Sequence, residues 1–158
     1  GSENKVPFVA AVSLDADGHP LHLKLSMVSG FTSQAISAWA KASLLPGSVV
    51  TSDGLSCFAA VVDAGCMHTP MTIGTRKPRD LPNFLWVNTV LGNLKTSLAG
   101  TFHSFKFRKY APAYLAAFAY RFNGRFDLRN LAARLIVDVA RTPPSPANRI
   151  RGDAETHC

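Results

Sequence analysis

A chain of 158 residues, 47% hydrophobic and 17% charged, is long enough for one domain with a real core and too short to expect two. Its formal charge of +7 and pI near 9.7 point to a polyanionic partner, nucleic acid before a membrane surface, and no stretch approaches the roughly 18 apolar residues that a spanning helix needs. Cys57, Cys66 and Cys158 are odd in number and lack CxxC spacing, which argues against a disulfide framework or a zinc site and fits a reducing compartment; no signal peptide is visible in the polar opening GSENK.

Val6 to Leu14 (VPFVAAVSL) is apolar and β-prone, and Asp15-Ala16-Asp17-Gly18-His19-Pro20 has the chemistry of a hairpin turn. Leu21 to Val28 returns as a strand whose alternation puts Leu21, Leu23, Leu25 and Met27 on an apolar face and His22, Lys24 and Ser26 on a wet one. Ser29 to Thr32 breaks the strand, and Ser33 to Leu44 reads as a helix with Ile36, Trp39, Ala40 and Ser43 on its buried side. Ser48 to Ser52 is a short β-branched strand ending at Asp53-Gly54. There Asp53 has two readings of equal weight: a carboxylate at the carboxyl end of a strand, where ligands collect in open α/β sheets, or a cap on the helical pattern Leu55 to Ala64.

Gly65 ends that helix and Cys66 to Ile73 reads as another short strand, in which His68 is a polar strand residue, since no second His or Cys lies at metal-ligand spacing. Residues 74 to 83 form a basic, proline-containing loop before a helix that bears Asn88 and Lys95. Seven residues make about two turns, so these two side chains emerge on one face roughly 10 Å apart. Gly100 is expected to interrupt this helix after Leu98. Thr101 to Arg108 then alternates Phe102, Phe105 and Phe107 with His103, Lys106 and Arg108, a pattern that suits nucleic acid and equally suits a core. Pro112 is expected in the first turn of a helix over Ala113 to Phe122, Asn123-Gly124 stops it, Asp127 offers an N-cap, and Leu128 to Ala140 forms the last helix before a polar tail over residues 142 to 158. Between Lys95 and Arg129 seven Lys or Arg stand against the single acid Asp127, so the positive charge is concentrated; Lys95, Lys106, Arg108, Lys109, Arg121 and Arg125 are expected to form one DNA-binding surface.

At this point the residues resemble a known family. LWVNTVLGNLKTSLAGTFHSFKFRKYAPAYLAAFAYRFNGRFDL is similar to the C-terminal half of the catalytic domain of bacterial insertion-sequence transposases, in the branch whose third acidic position is Asn followed by Lys seven later, the Asp-Asp-Asn type. Upstream, KVPFVAAVSLDADGHPLHLKLSMV and SVVTSDGLSCF resemble the hairpin and the second catalytic strand of the same domain, so the likeness covers roughly residues 3 to 130. It implies a ribonuclease-H-like mixed α/β sheet flanked by helices, over residues 4 to 141, and two-metal phosphoryl transfer with Mg²⁺ or Mn²⁺. By resemblance Asp53 is the second catalytic acid and a metal ligand, Asn88 the third ligand through a neutral carbonyl oxygen, and Lys95 the residue that holds phosphate. The family's first catalytic Asp lies on a strand before the hairpin, and this sequence opens after the place where that strand should end; Asp15 and Asp17, at a hairpin tip, do not replace it. The expectation is a catalytic-domain fragment that is inactive alone, with Asp53 and Asn88 close together, transposon ends and target DNA as partners, a homo-oligomer assembled on DNA, and a bacterial cytoplasmic, nucleoid-associated location. Two other classes stay open: a non-catalytic DNA-binding or assembly module, and a self-associating remnant of a truncated element.

Overall fold

The alternating pattern of the first thirty residues becomes an antiparallel hairpin of β1 (Phe8–Leu14) and β2 (Pro20–Met27), in register from Phe8 opposite Met27 to Val12 opposite Leu23. Its turn is tied by the Asp15 carboxylate, whose Oδ1 accepts the N–H groups of Asp17 (3.0 Å) and His19 (2.8 Å), while Gly18 takes the left-handed conformation (φ 81°) that the turn requires. In this computed structural model residues 5–72, 74–75, 81–101 and 107–146 are described.

Helix α1 (Ser33–Ser43) starts at Thr32, whose Oγ1 accepts the Ala35 N–H at 3.2 Å, and buries Ile36, Trp39 and Ala40, the face that the spacing indicated. β3 (Val49–Ser52) pairs in parallel with β4 (Met67–Pro70), and the crossover between them is a 3-10 helix, Ser56–Ala64, closed by Gly65 at φ 74°. The α-helix expected over Leu55 to Ala64 is thus wound more tightly, entering through an i→i+3 bond from the Phe58 N–H to the Leu55 carbonyl (3.0 Å). A 3-10 turn at Pro82–Phe84 leads into α2 (Leu85–Thr101), followed by α3 (Phe107–Asn123) and α4 (Leu128–Arg141).

The result is a mixed α/β fold in which β1 is covered on both faces. Val9 and Ala11 pack with α1 and the 3-10 helix in a core of Ile36, Trp39, Ala40, Cys57, Val61 and Cys66, against which Val50 of β3 also packs. On the other face Phe8, Ala10 and Val12 join Leu23 and Leu25 of β2, Val90 and Leu94 of α2, and Leu115 of α3. The wet side of β2 is as its alternation demands, with His22 and Lys24 exposed. Among the described residues the strands form two separate two-stranded sheets, β1–β2 and β3–β4.

Three sequence expectations fail for identifiable reasons. Gly100 does not interrupt α2, because the packing of Val90 and Leu94 carries the helix through both Gly92 and Gly100 to Thr101, beyond what propensity alone predicts. Pro112 lies inside α3 instead of in its first turn, since the helix begins at Phe107; the ring is exposed, and the missing N–H removes one ladder bond. Asp127 stands at the N-cap of α4 yet makes no capping bond; its Oδ1 accepts from Asn130 Nδ2 at 2.9 Å instead. The interleaved stretch from Phe102 to Lys106 lies outside the described residues. α4 buries none of its residues and is held to α3 by the Tyr120 hydroxyl, which donates to Asp138 Oδ2 at 3.2 Å.

Candidate functional site

Asp53 is the first residue beyond β3. Its neighbour Ser52 is buried, with Oγ 2.9 Å from Nε2 of His68 on β4, so the polar character of His68 is absorbed by a strand-to-strand contact. Asp53 itself is exposed, and its Oδ1 accepts the Leu55 N–H at 3.2 Å. Asp53 therefore sits at the carboxyl end of a parallel strand and closes an Asx-type turn onto Leu55, the residue before the 3-10 helix, which itself starts without a side-chain cap; Oδ2 has no protein partner among the described residues. Burial pushes the Cys57 thiol up, and the nearby charge of Asp53 adds to the same shift.

Gly54 holds this corner. It has φ 84°, and a Cβ there would meet the Thr72 Cα at 3.3 Å, where the chain leaves β4 with the Met71 N–H bonded to the Ser52 carbonyl (2.9 Å). Gly54→Ala is expected to lower stability by about 1–3 kcal/mol, from left-handed strain plus the close backbone contact, and chemical denaturation against the unmodified chain measures it.

α2 presents the second part of the candidate site. Asn88 is half-buried and Lys95 exposed, seven residues apart on one helix and roughly 20° apart around its axis, away from the core stripe of Val90 and Leu94. Neither makes a side-chain hydrogen bond or ion pair with another described residue. The start of α2 is fixed at two points. Asn83 Nδ2 lies 2.8 Å from Met71 Sδ just past β4, and Trp86 Nε1 donates to the Gly18 carbonyl in the hairpin turn at 2.8 Å. The start of α2 is thus tied to the segment that follows β4 through Asn83 and Met71, and to the hairpin turn through Trp86. In that turn the ligand atoms of Asp15, Asp17 and His19 lie within 4.8 Å of one another, but Asp15 Oδ1 is occupied by the turn's own N–H groups.

The expected basic surface divides. Lys95 is exposed on α2, and Arg121 on α3 reaches the same helix, donating from Nη2 to Ser97 Oγ at 3.3 Å. Lys109 lies over the Tyr110 ring at 5.4 Å. Lys106 and the side chain of Arg108 lie outside the described residues. Arg125 is half-buried and its guanidinium is engaged by the chain itself: Nη1 donates to the carbonyls of Leu21 (3.2 Å) and Phe122 (2.8 Å), Nη2 donates to that of Pro20, and the group stacks on Phe122 at 3.9 Å and Phe126 at 4.1 Å. Burial lowers its pKa. Beside it Asn123 closes a two-way amide bond with Leu23, Oδ1 accepting from the N–H at 2.7 Å and Nδ2 donating to the carbonyl at 3.0 Å. Sequence reasoning read Asn123 as a helix stop and Arg125 as a phosphate contact; the flanking Phe122 and Phe126 were the signal that this arginine had aromatic faces to occupy at home.

Among the described residues no helix is long and apolar enough to cross a membrane. Residues 1–123 match the family model described as the ISXO2-like transposase domain, a match that ends at Asn123, the last residue of α3. No curated protein and no solved structure matches the chain.

Proposed function

Because the chain belongs to the ISXO2-like transposase domain family, we propose that it is the metal-dependent DNA cleavage and strand-transfer domain of an Asp-Asp-Asn transposase, of ribonuclease-H-like architecture. The observation that carries the reading is Asp53: an exposed carboxylate at the end of a parallel strand, with one oxygen fixed by the Leu55 N–H and the other free. Asn88 is the third-position ligand, and Lys95, two turns further on the same helix face, holds a DNA phosphate. The donor set has the hard oxygen chemistry of Mg²⁺ or Mn²⁺ but counts one carboxylate and one neutral amide, which suits part of a two-ion site and not all of it. Held by Asp53, Asn88 and a further carboxylate, such ions would supply Lewis-acid activation for phosphoryl transfer. This chain's own contribution is to fix the Asp53 carboxylate, orient the Asn88 carbonyl and anchor the strand through Lys95. A further carboxylate completes the site, and in this reading it comes from a strand between β1 and β3, which are not paired with each other among the described residues.

Transposon ends and target DNA are the partners in this reading, gripped by Lys95, Arg121 and Lys109 around the α2–α3 surface, with Lys106 and Arg108 added to them. Replacing Lys95, Lys109 and Arg121 together with Ala is expected to reduce the slope of log affinity against log salt by roughly 0.9 for each phosphate that the variant no longer neutralises. An unchanged slope would assign these charges to solvation and remove the DNA surface from α2–α3.

One observation favours the assembly reading alongside the catalytic one. α4 carries Leu128, Leu135, Ile136 and Val139 largely exposed, at the spacing of a single helix face, and buries no residue of its own. A 14-residue helix is marginal without a partner, so self-association on DNA through α4 accounts for a stripe that the α3 contact leaves uncovered.

A further inference from the structure

We propose that Phe31, backed by Phe58, is a stacking platform for an unpaired DNA base beside Asp53; this rests on the DNA reading above and adds to it a residue that recognises single-stranded ends. Phe31 lies in the break between β2 and α1 and is 48% exposed. Its ring centroid is 6.4 Å from that of Phe58, with the planes tilted by 50°, so the half-buried Phe58 supports one side of an aromatic group that is otherwise open to solvent. Phe58 is one turn of the 3-10 helix from the candidate site: Asp53 Oδ1 accepts the Leu55 N–H, and the Leu55 carbonyl accepts the Phe58 N–H. Leu55, between Asp53 and Phe58 in the chain, is itself 44% exposed.

A local explanation for an apolar residue here is a hydrophobic staple. Phe31 directly precedes the Thr32 N-cap, and Ile36 stands at the staple partner's position. Ile36 is fully buried while half of Phe31 is not, so a staple would be served by any aliphatic side chain and leaves the exposed π face unexplained. A base has a π face of its own, and the bases of an intact duplex are closed against each other, so the occupant is an unpaired base at a strand end or a melted step.

The test uses the whole 158-residue chain with two DNA probes, a blunt duplex and the same duplex carrying a short 3′ overhang that contains 2-aminopurine. The unmodified protein is expected to bind the overhang more tightly than the blunt end and to quench the 2-aminopurine fluorescence by stacking. Phe31→Leu, which keeps the staple but has no π face, is expected to weaken overhang binding about 5- to 150-fold, to abolish quenching and to leave blunt-duplex binding unchanged. Phe31→Trp should retain both the preference and the quenching. If Phe31→Leu keeps the overhang preference while the protein still binds DNA, the platform is overturned and the DNA reading stands. If the unmodified chain binds neither probe, both fall.

Discussion

Incubated with Mg²⁺ or Mn²⁺ and a duplex carrying transposon ends, the 158-residue chain is expected to leave the DNA uncut, whereas a form extended at its N-terminus by an Asp-bearing strand and a DNA-reading module is expected to cut it. The reason lies in the donor count. In the proposed site Asp53 would bring one free carboxylate oxygen and Asn88 a neutral one, and a hard divalent pair needs more negative charge than that to displace its own water. Asp53→Asn is the sharper variant of the extended protein, because the amide oxygen can still accept from Leu55, so the 3-10 helix keeps its entry bond while the negative charge is gone. It should reduce strand cleavage to background with the melting temperature unchanged, and Asn88→Ala should lower cleavage strongly without removing it. Robust cleavage by the unextended chain would show that another acidic group completes the site. Asp15→Asn and Asp17→Asn would then decide whether the hairpin turn supplies it, since Trp86 joins that turn to the start of α2.

What could be read from the sequence was whatever a single period or a single turn dictates. The two-residue alternation of β2 placed Leu23 and Leu25 inward and Lys24 outward, and the helical spacing of Ile36, Trp39 and Ala40 gave the buried face of α1. Asp53 at the end of β3 was legible for the same reason, a β-branched run stopped by Asp-Gly. What escaped was decided by contacts between distant segments. The continuation of α2 through Gly100 depends on packing against β1 and β2, and the position of Pro112 depends on where α3 begins, which local propensity underdetermines. The separation of the strands into two sheets is equally invisible to alternation, which fixes the face of a side chain but not the neighbour of a strand.

Arg125 is the expected DNA contact with the most partners in its own chain, and its replacement separates the two roles. Arg125→Ala is expected to lower stability by about 2–4 kcal/mol, because a charged donor fork leaves the carbonyls of Pro20, Leu21 and Phe122 and two aromatic faces lose their cation. Asn123→Ala should cost a similar amount, since it removes both bonds to Leu23 and strands the backbone amide of a residue that is 2% exposed. For a chain of this length each kcal/mol corresponds to roughly 2–4 °C in melting temperature, so either variant should melt several degrees lower. Arg125→Lys should recover little, because an ammonium cannot reproduce the planar fork that spans the end of α3 and the start of β2. The same variants separate clamp from DNA contact. With Arg125 engaged by its own chain, Arg125→Ala that remains folded at low temperature should bind duplex DNA with an unchanged salt slope, in contrast to the Lys95, Lys109 and Arg121 replacement. A normal melting temperature with a shallower slope would return Arg125 to the DNA surface and leave Asn123 and the packing of Leu115 on Leu23 and Leu25 to fasten α3 to β2.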